Sequence, residues 1–473
     1  MLFQTPEFIA FLIITLVLYY KLPAARSCLL ALADLLFYLA AGLNGLLLLA
    51  AVSAVSYYLS IKLGSRHARV FLTLALLLNI ANLLFFKYIV FFLNNIVKIP
   101  GLEFLEIPGA LLNIIQPLGI SFYTFQLIAY LVDIYRKKCE PARSLLHFWL
   151  FVSFFANVVA GPIMRGNELI PQLESLASIR FSGASLRLGL AYFTLGLCKK
   201  ILLADYLTVY VDQFFVQGSS LATIQAWIAA YLFTFQIYYD FSAYSEMAMG
   251  IACLFGINLK LNFATPYLSS NPSEFWRRWH ITLSNWIRDY LYIPLGGSRR
   301  GELRRYLNLF AAMSISGLWH GAAWTFVVWG MYHGVLLILH NIYKKIRLVQ
   351  RMAINAGSIL NAISILITFH LVCIGWVFFR APNLNTALHM VYHMLNPLNM
   401  TIDRASMKYL AIIAMLFSLH IVEFYLRQNY DYLSALWRKY FPAPLRALAY
   451  ALILLLLITF STYQPNSFIY FKF

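Results

Sequence analysis

Uninterrupted apolar runs of roughly twenty residues limit what this chain can fold into, because a helix needs about that length to span a bilayer. A membrane β-strand would instead alternate in polarity over about ten residues. Backbone groups at bilayer depth find no water, so continuous runs predict helices. We therefore predict an all-α polytopic membrane protein with about 11–13 transmembrane or re-entrant helices. The runs lie near residues 8–24, 27–42, 44–63, 69–96, 109–134, 145–161, 184–204, 221–250, 306–326, 327–343, 358–379, 408–427 and 444–462.

The composition agrees with a lipid environment. Hydrophobic residues make up 62% of the chain and charged residues 11%, whereas a soluble domain carries about 25% charged residues. The net charge of +18 would suggest nucleic-acid binding in a soluble protein. Here the basic residues cluster in short connections, which is typical of cytoplasmic loops, and no nucleic-acid partner is predicted. The clusters are Lys21 and Arg26; Lys62, Arg66 and Arg69; Arg136, Lys137, Lys138 and Arg143; and Lys344, Lys345 and Arg347.

The pattern predicts neither a cleaved leader nor a second domain. Glu7 precedes the first apolar run and Lys21 follows it, which favours a retained first helix with its N-terminus outside. No repeat or water-soluble stretch is visible, so residues 1–473 are predicted to form one integral-membrane domain. The five cysteines are scattered without CxxC spacing, and neither a disulfide framework nor a metal site is predicted.

The segment 251–305 differs from an ordinary loop. Its arginines interleave with tryptophans and tyrosines, a mixture typical of a helix that lies in the membrane interface or enters it partway. Charged backbone at membrane depth survives only beside protein or a watered cavity. We predict an interfacial or re-entrant segment that forms the floor of a cytoplasmic funnel.

Two histidines in this apolar background are candidate catalytic residues, because a histidine near neutral pKa suits a general base. Asn271 is a good helix N-cap and Pro272 suits a first turn, which predicts that His280 sits about two turns into a helix. His320 has small neighbours that allow close helix packing or leave room for a substrate. The alternatives are an interfacial histidine at 280 and an interhelical hydrogen bond at 320. The small neighbours of His320 are Gly317, Gly321, Ala322 and Ala323.

Other polar groups in the apolar background are weaker candidates. Asp240 and Glu246 could orient a base, or they could pair with an arginine, which is the commoner role of such acids. His333 follows His320 by less than four turns. Breaks in the spans are predicted at two places, which could border a cavity or only shape packing. These are Pro117 with Gly119, and Gly161 with Pro162.

Together these stretches resemble the membrane-bound O-acyltransferase family, most closely the integral-membrane subunits of alginate O-acetylation. The likeness covers nearly the whole chain. Either histidine motif alone would be a weak signal, whereas the pair at this spacing is specific. The motifs that carry it are residues 117–123, 160–165, 240–245, 275–284, 286–297 and 318–326, which include PLGISFY, AGPIMR, DFSAYS, FWRRWHITLS and LWHGAAWTF.

The resemblance implies a ring of helices around a central tunnel, with His320 as the catalytic histidine and His280 as a second tunnel histidine. It also implies that Tyr470, in the C-terminal aromatic tail 467–473, is a candidate acyl relay, although such a tail could simply anchor at the interface. The donor-binding or supporting residues that we expect are Arg277, Arg278, Trp279, Asp240 and Trp319.

The activity implied by the resemblance is O-acetylation of an exported polysaccharide such as alginate. Acetyl-CoA would be the cytoplasmic co-substrate, with no bound cofactor, and an extracytoplasmic SGNH-type acetyltransferase would be the partner. The expected location is the bacterial inner membrane. Three alternatives remain open at this point: transfer of D-alanine or another acyl group from a carrier protein, long-chain acyl transfer to a lipid, and a non-enzymatic polysaccharide flippase.

Overall fold

The computed structural model describes residues 1–100, 107–159, 161–346, 357–396, 398, 400, 402–461 and 468–469. Every regular element within these residues is a helix, so the all-α prediction is confirmed. Six of the helices are long and apolar enough to cross a bilayer. A bent pair, Pro6–Lys21 with Pro23–Leu39, turns by 115° and adds a seventh candidate if it counts as one span. The six are Leu43–Lys62, Ala68–Ile96, Trp324–Tyr343, Ser358–Arg380, Arg404–Gln428 and Ala443–Phe460.

Several of the other predicted spans are shorter or broken helices. The run 109–134 divides into Gly109–Leu112 and Ile120–Tyr135. The break contains Pro117, which cannot donate a backbone hydrogen bond, and Gly119, which adopts a left-handed conformation with φ of 70°. The run 145–161 is helical only over Leu145–Ser153. The break at Pro117 and Gly119 is therefore confirmed. In the second run the helix already ends at Ser153, and Gly161 and Pro162 lie in a non-helical stretch beyond that end.

The described residues form two compact units, and the prediction of one domain over 1–473 stays a prediction. The first unit contains residues 1–196 and 244–261. Its buried charges are satisfied by backbone: the Arg26 guanidinium donates to the carbonyl of Leu176 at 2.9 Å, and Asp34 accepts from the Phe155 amide at 2.8 Å. Its helices are Pro6–Lys21, Arg26–Leu39, Leu43–Lys62, Ala68–Ile96, Gly109–Leu112, Ile120–Tyr135, Leu145–Ser153, Gly166–Glu174 and Gly183–Cys198.

The second unit contains residues 197–243 and 262–473, and it holds both candidate histidines. The long helix Thr223–Leu254 begins in this unit and ends in the first. The predicted interfacial segment consists of short helices here, none of them long enough to span a bilayer. The remaining helices of the unit are Asp205–Gln217, Pro272–Arg278, Ile281–Ile287, Glu302–His320, Trp324–Tyr343, Ser358–Arg380, Leu384–Leu395, Arg404–Gln428, Tyr430–Tyr440 and Ala443–Phe460.

Two glycines hold the helices on either side of His320 in close contact. A Cβ on Gly317 would lie 2.3 Å from the carbonyl oxygen of Phe326 and 2.9 Å from the Cα of Gly330. A Cβ on Gly330 would lie 2.3 Å from the carbonyl oxygen of Met313. Only hydrogen side chains permit this approach, so the expectation of close packing at Gly317 is confirmed. The resulting hairpin fixes the end of the helix that carries His320.

We expect Gly317→Ala to lower the stability of the protein in detergent by about 1–3 kcal/mol, because the added methyl group overpacks a backbone contact. Thermal unfolding measured by fluorescence size-exclusion chromatography checks this. Gly64→Ala is the matched control, since a Cβ there meets no atom within 4 Å among the described residues. Equal melting temperatures for the two variants would contradict the role assigned to the glycine contact.

Candidate active site

His280 lies at a break between two short helices. The Asn271 side chain accepts a hydrogen bond from the Glu274 amide at 2.9 Å, so the predicted N-cap is confirmed. The helix that it begins, Pro272–Arg278, ends before His280. His280 itself has φ of 41° and ψ of 56°, a left-handed conformation that costs a residue with a side chain about 1–2 kcal/mol. The expectation that His280 sits two turns into a helix is therefore wrong.

The break exists because a neighbouring segment takes over the backbone hydrogen bonds. The Ala264 amide donates to the Arg278 carbonyl at 2.9 Å, and the Ile281 amide donates to the Asn262 carbonyl at 2.9 Å. The Asn262 side-chain oxygen accepts from the Thr282 hydroxyl at 2.6 Å and from the Thr282 amide at 3.3 Å. These bonds satisfy groups that a continuous helix would have satisfied, as burial requires. Asn262 thereby fixes the backbone on which His280 is carried.

The His280 ring is enclosed by aromatic side chains and is fully buried. Its centroid lies 4.7 Å from that of Phe241 and 6.3 Å from those of Phe263 and Trp319. Burial disfavours the charged imidazolium and lowers the pKa of His280 to about 3. The ring is neutral at physiological pH, and so it can act as a hydrogen-bond donor or acceptor but not as a resident cation.

His320 is the last residue of the helix Glu302–His320 and has only 2% of its surface exposed. Its ring centroid lies 4.9 Å from that of Trp319, 5.0 Å from that of Trp329 and 5.3 Å from that of Phe379. Trp319 is thus in contact with both candidate histidines. The structure brings the two imidazoles, forty positions apart in the sequence, to a single indole.

The third histidine, His333, is buried beside the same aromatic group. Its ring lies 5.0 Å from Trp329 and 5.1 Å from Trp276. Trp329 therefore contacts both His320 and His333. A Cβ on Gly375 would lie 2.9 Å from the His333 Nε2 atom, so the neighbouring helix passes close to this ring. The ring of Trp329 lies between His320 and His333, which suits a supporting position for His333.

A cavity of about 260 Å³ lies next to the two histidine segments. Ser284 lines it one turn beyond His280, and Ser316 lines it one turn before His320, on the same helix face as that histidine. Arg288 and Arg305 line it as well, and Arg305 donates to the Asn341 side chain. The cavity therefore combines guanidinium groups with hydroxyl groups that lie close in sequence to both histidines. Ligand pockets usually have volumes of about 300–1,000 Å³, so this one suits part of a larger molecule.

The expected supporting residues have different surroundings. Arg277 is exposed, and Arg278 forms an ion pair with Glu274 at 2.6 Å. Trp279 is buried, with its ring 4.8 Å from that of Trp376, so it belongs to the aromatic core around the site. None of these three lines the cavity described above. The arginines that do line it, Arg288 and Arg305, belong to the segment noted as basic in the sequence.

Asp240 forms a buried ion pair, but its partner is a lysine and not the arginine considered above. Its carboxylate lies 2.7 Å from Lys200 Nζ, and Lys200 is also 2.8 Å from Asp205. Glu246 is buried within the first unit. Tyr470 lies outside the described residues, and its role as an acyl relay stays a prediction.

Sequence reasoning missed Asn262, Lys200 and Trp329. Trp329 carries an aromatic signal that the many other aromatic residues of the chain obscure. Asn262 is a buried polar residue directly before Phe263 in the stretch KLNFATP, and a polar residue in an apolar context was the signal that could have found it. Lys200 follows Lys199 at the end of an apolar run, where it was indistinguishable from a loop cation.

Two buried histidines thus contact one tryptophan within a multi-pass helical protein. The family model for the membrane-bound O-acyltransferase family matches residues 141–379, which include both histidines. The chain belongs to the membrane-bound O-acyltransferase family and is an acyltransferase.

Curated relatives extend this likeness beyond the matched region. The chain is 39% identical over 429 residues to the peptidoglycan O-acetyltransferase of Helicobacter pylori. The alignment covers 83% of this chain and 80% of the relative. It is 36% identical over 445 residues to the probable alginate O-acetylase of Azotobacter vinelandii. That alignment covers 91% of this chain and 86% of the relative. A teichoic acid D-alanyltransferase of Bacillus subtilis is 27% identical over 277 residues, covering 56% of this chain and 69% of the relative.

We expect Asn262→Ala to lower acyl transfer by about ten- to a hundredfold, because a shift of about 1 Å in the His280 backbone is enough for such a loss. The variant removes the acceptor for the Thr282 hydroxyl and amide. Single-turnover rates in detergent check this, with Asn258→Ala as the matched control, since Asn258 is exposed on the same connecting stretch. Wild-type rates for Asn262→Ala would show that these hydrogen bonds do not position His280.

Proposed function

We propose that this protein transfers acetyl groups from cytoplasmic acetyl-CoA through the bacterial inner membrane for O-acetylation of an exported polysaccharide. The observation that carries the proposal is the contact of both buried histidines with Trp319. None of these three residues lines the cavity with the two arginines, but Ser284 and Ser316, one helical turn from His280 and His320 respectively, do. The relatives named peptidoglycan O-acetyltransferase and probable alginate O-acetylase, 39% and 36% identical to this chain, support acetyl as the group transferred.

His320 is the general base in this proposal. It accepts the proton of an acceptor hydroxyl, whose oxygen attacks the thioester carbonyl carbon. The carbon–sulfur bond then breaks, and the thiolate leaves as coenzyme A after receiving the proton from His320. A neutral imidazole can accept this proton through its unprotonated ring nitrogen.

His280 supplies a neutral ring that polarises the carbonyl or holds the acceptor. A ring whose pKa lies near 3 carries an N–H donor throughout the physiological range, so its contribution does not depend on protonation near neutral pH. Donors aimed at a developing oxyanion in a dry site are worth several kcal/mol, about 3–4 for a single donor. The left-handed backbone of His280 and its bonds to the Asn262 segment keep this ring in a fixed orientation.

The arginines of the cavity bind the donor in this proposal. Guanidinium groups bind phosphate through paired hydrogen bonds, and Arg288 and Arg305 lie in the part of the sequence that the positive-inside rule assigns to the cytoplasm. The phosphates of acetyl-CoA would contact these arginines, while the acetyl end would extend past Ser284 and Ser316 toward the histidines. An extracytoplasmic SGNH-type acetyltransferase would receive the acetyl group on the outer face.

The alternatives are weaker for stated reasons. The D-alanyl relative is 27% identical over 56% of the chain, against 39% over 83% for the peptidoglycan O-acetyltransferase. Membership of an acyltransferase family favours an enzyme over a polysaccharide flippase. The relatives named as O-acetyltransferase and O-acetylase favour a short acyl group over a long lipid chain.

We expect His320→Ala to lower acetyl-CoA turnover by about 10²–10⁴-fold, the usual contribution of general acid–base catalysis. Release of free coenzyme A by purified protein, followed with a thiol reagent, checks this. His389→Ala is the matched control, because His389 is exposed on the helix Leu384–Leu395 of the same unit. Turnover by His320→Ala at the rate of the control variant would remove the proposed mechanism.

We expect Arg305→Gln to raise the KM for acetyl-CoA by about tenfold or more, since a hydrogen bond to a charged group contributes about 1.5–3 kcal/mol. The KM for acetyl-pantetheine, which lacks the phosphates, should change little. Initial-rate kinetics with both donors check this, and Arg304→Gln is the control, because Arg304 is the exposed neighbour outside the cavity. An equal rise in KM for both donors would argue against phosphate recognition by Arg305.

A further inference from the structure

Asp240 joins the C-terminal end of the chain to the middle of the helix Thr223–Leu254. One carboxylate oxygen lies 2.7 Å from Lys200 Nζ, and the other accepts a hydrogen bond from the backbone amide of Ile469 at 2.7 Å. The Lys200 side chain has 1% of its surface exposed and that of Asp240 has 4%. A buried carboxylate needs such partners, because an isolated charge in an apolar environment is costly. The Ile469 amide is thus one of the partners that stabilise the buried Asp240 carboxylate.

The tail held in this way lies one aromatic ring from His280. Phe468 is fully buried, and its ring centroid lies 5.5 Å from that of Phe241. Phe241 follows Asp240 directly in the sequence, and its ring lies 4.7 Å from that of His280. Consecutive residues of one helix therefore make the two contacts: Asp240 binds the tail backbone, and Phe241 separates the tail from the candidate active site.

The hydrogen bond to Asp240 and the burial of Phe468 both hold residues 468–469 against the helix Thr223–Leu254. Only 6% of the apolar window of the preceding helix Ala443–Phe460 is buried within the protein.

We propose that Asp240, held by Lys200, is a positioning residue that seats Phe468–Ile469 beside His280, and that the seated tail excludes water from the acyl group. This inference rests on the proposed function. The reaction is the same with either nucleophile: the carbon–sulfur bond of the thioester breaks, and a carbon–oxygen bond forms to the acceptor or to water. The proton from the attacking hydroxyl passes by way of His320 to the leaving thiolate. An unseated tail admits water and shifts the outcome from transfer to hydrolysis.

Ile469→Pro tests the hydrogen bond without altering Asp240 or Lys200, because proline lacks the backbone donor. Ile469→Val is the matched control, since it keeps the amide. We expect the ratio of thioester hydrolysis to acetyl transfer to rise about tenfold in Ile469→Pro, which corresponds to the loss of one hydrogen bond to a charged group. The ratio should stay at the wild-type value in Ile469→Val. A fall in total turnover with an unchanged ratio would show a merely structural role and overturn the proposal.

Hydrogen–deuterium exchange tests the hydrogen bond between the Ile469 amide and Asp240 independently of any acyl chemistry. We expect the Ile469 amide to exchange about a hundredfold more slowly than in an unstructured peptide, and to lose protection in Asp240→Asn. If the Ile469 amide of the wild-type protein exchanges at the rate of an unstructured peptide, the proposed position of Phe468–Ile469 is wrong. Protection combined with an absence of thioester turnover in the wild type would instead identify the proposed function as the part that fails.

Discussion

The backbone hydrogen bonds around residues 278–282 are the interactions on which the rest of this site depends. A buried amide or carbonyl without a partner is costly, so a buried helix breaks only where another segment supplies the missing partners. Asn262 and Ala264 supply them here. This arrangement allows His280 to adopt a left-handed conformation inside an aromatic core instead of following the helix toward the interface. Orientation of the imidazole is therefore a consequence of backbone satisfaction.

Buried charged side chains in the second unit are likewise stabilised by partners. Lys200 and Asp240 are buried because each satisfies the other, and Lys199 is held by Glu423 at 2.7 Å in the same way. The arginines that line the cavity also have polar neighbours: Arg288 forms an ion pair with Asp289 at 2.7 Å, and Arg305 donates to the Asn341 side chain. Aromatic side chains enclose both His280 and His320, and an enclosed site suits transfer from a thioester that water also hydrolyses.

The sequence predicted the all-α membrane class, the Asn271 cap, the break at Pro117, and the close approach at Gly317, because each has a local signal. It did not predict the break at His280. The hydrogen bonds that cause that break come from Asn262, whose pairing with Thr282 is a tertiary contact and leaves no periodicity in the sequence. For the same reason the sequence did not indicate Lys200 as the partner of Asp240, for which an arginine was expected. The association of His280 with His320 came from resemblance, since nothing local in either stretch specifies that both contact Trp319.

The central claim is that one continuous site leads from the arginines of the cavity to the two histidines. A cryo-electron microscopy map of the protein with a non-hydrolysable thioether analogue of acetyl-CoA tests it most directly. The account predicts density for the phosphates beside Arg288 and Arg305, with the acyl end extending to Trp319 between His280 and His320. Density for the analogue on a surface remote from both histidines, with the cavity unchanged, would contradict it.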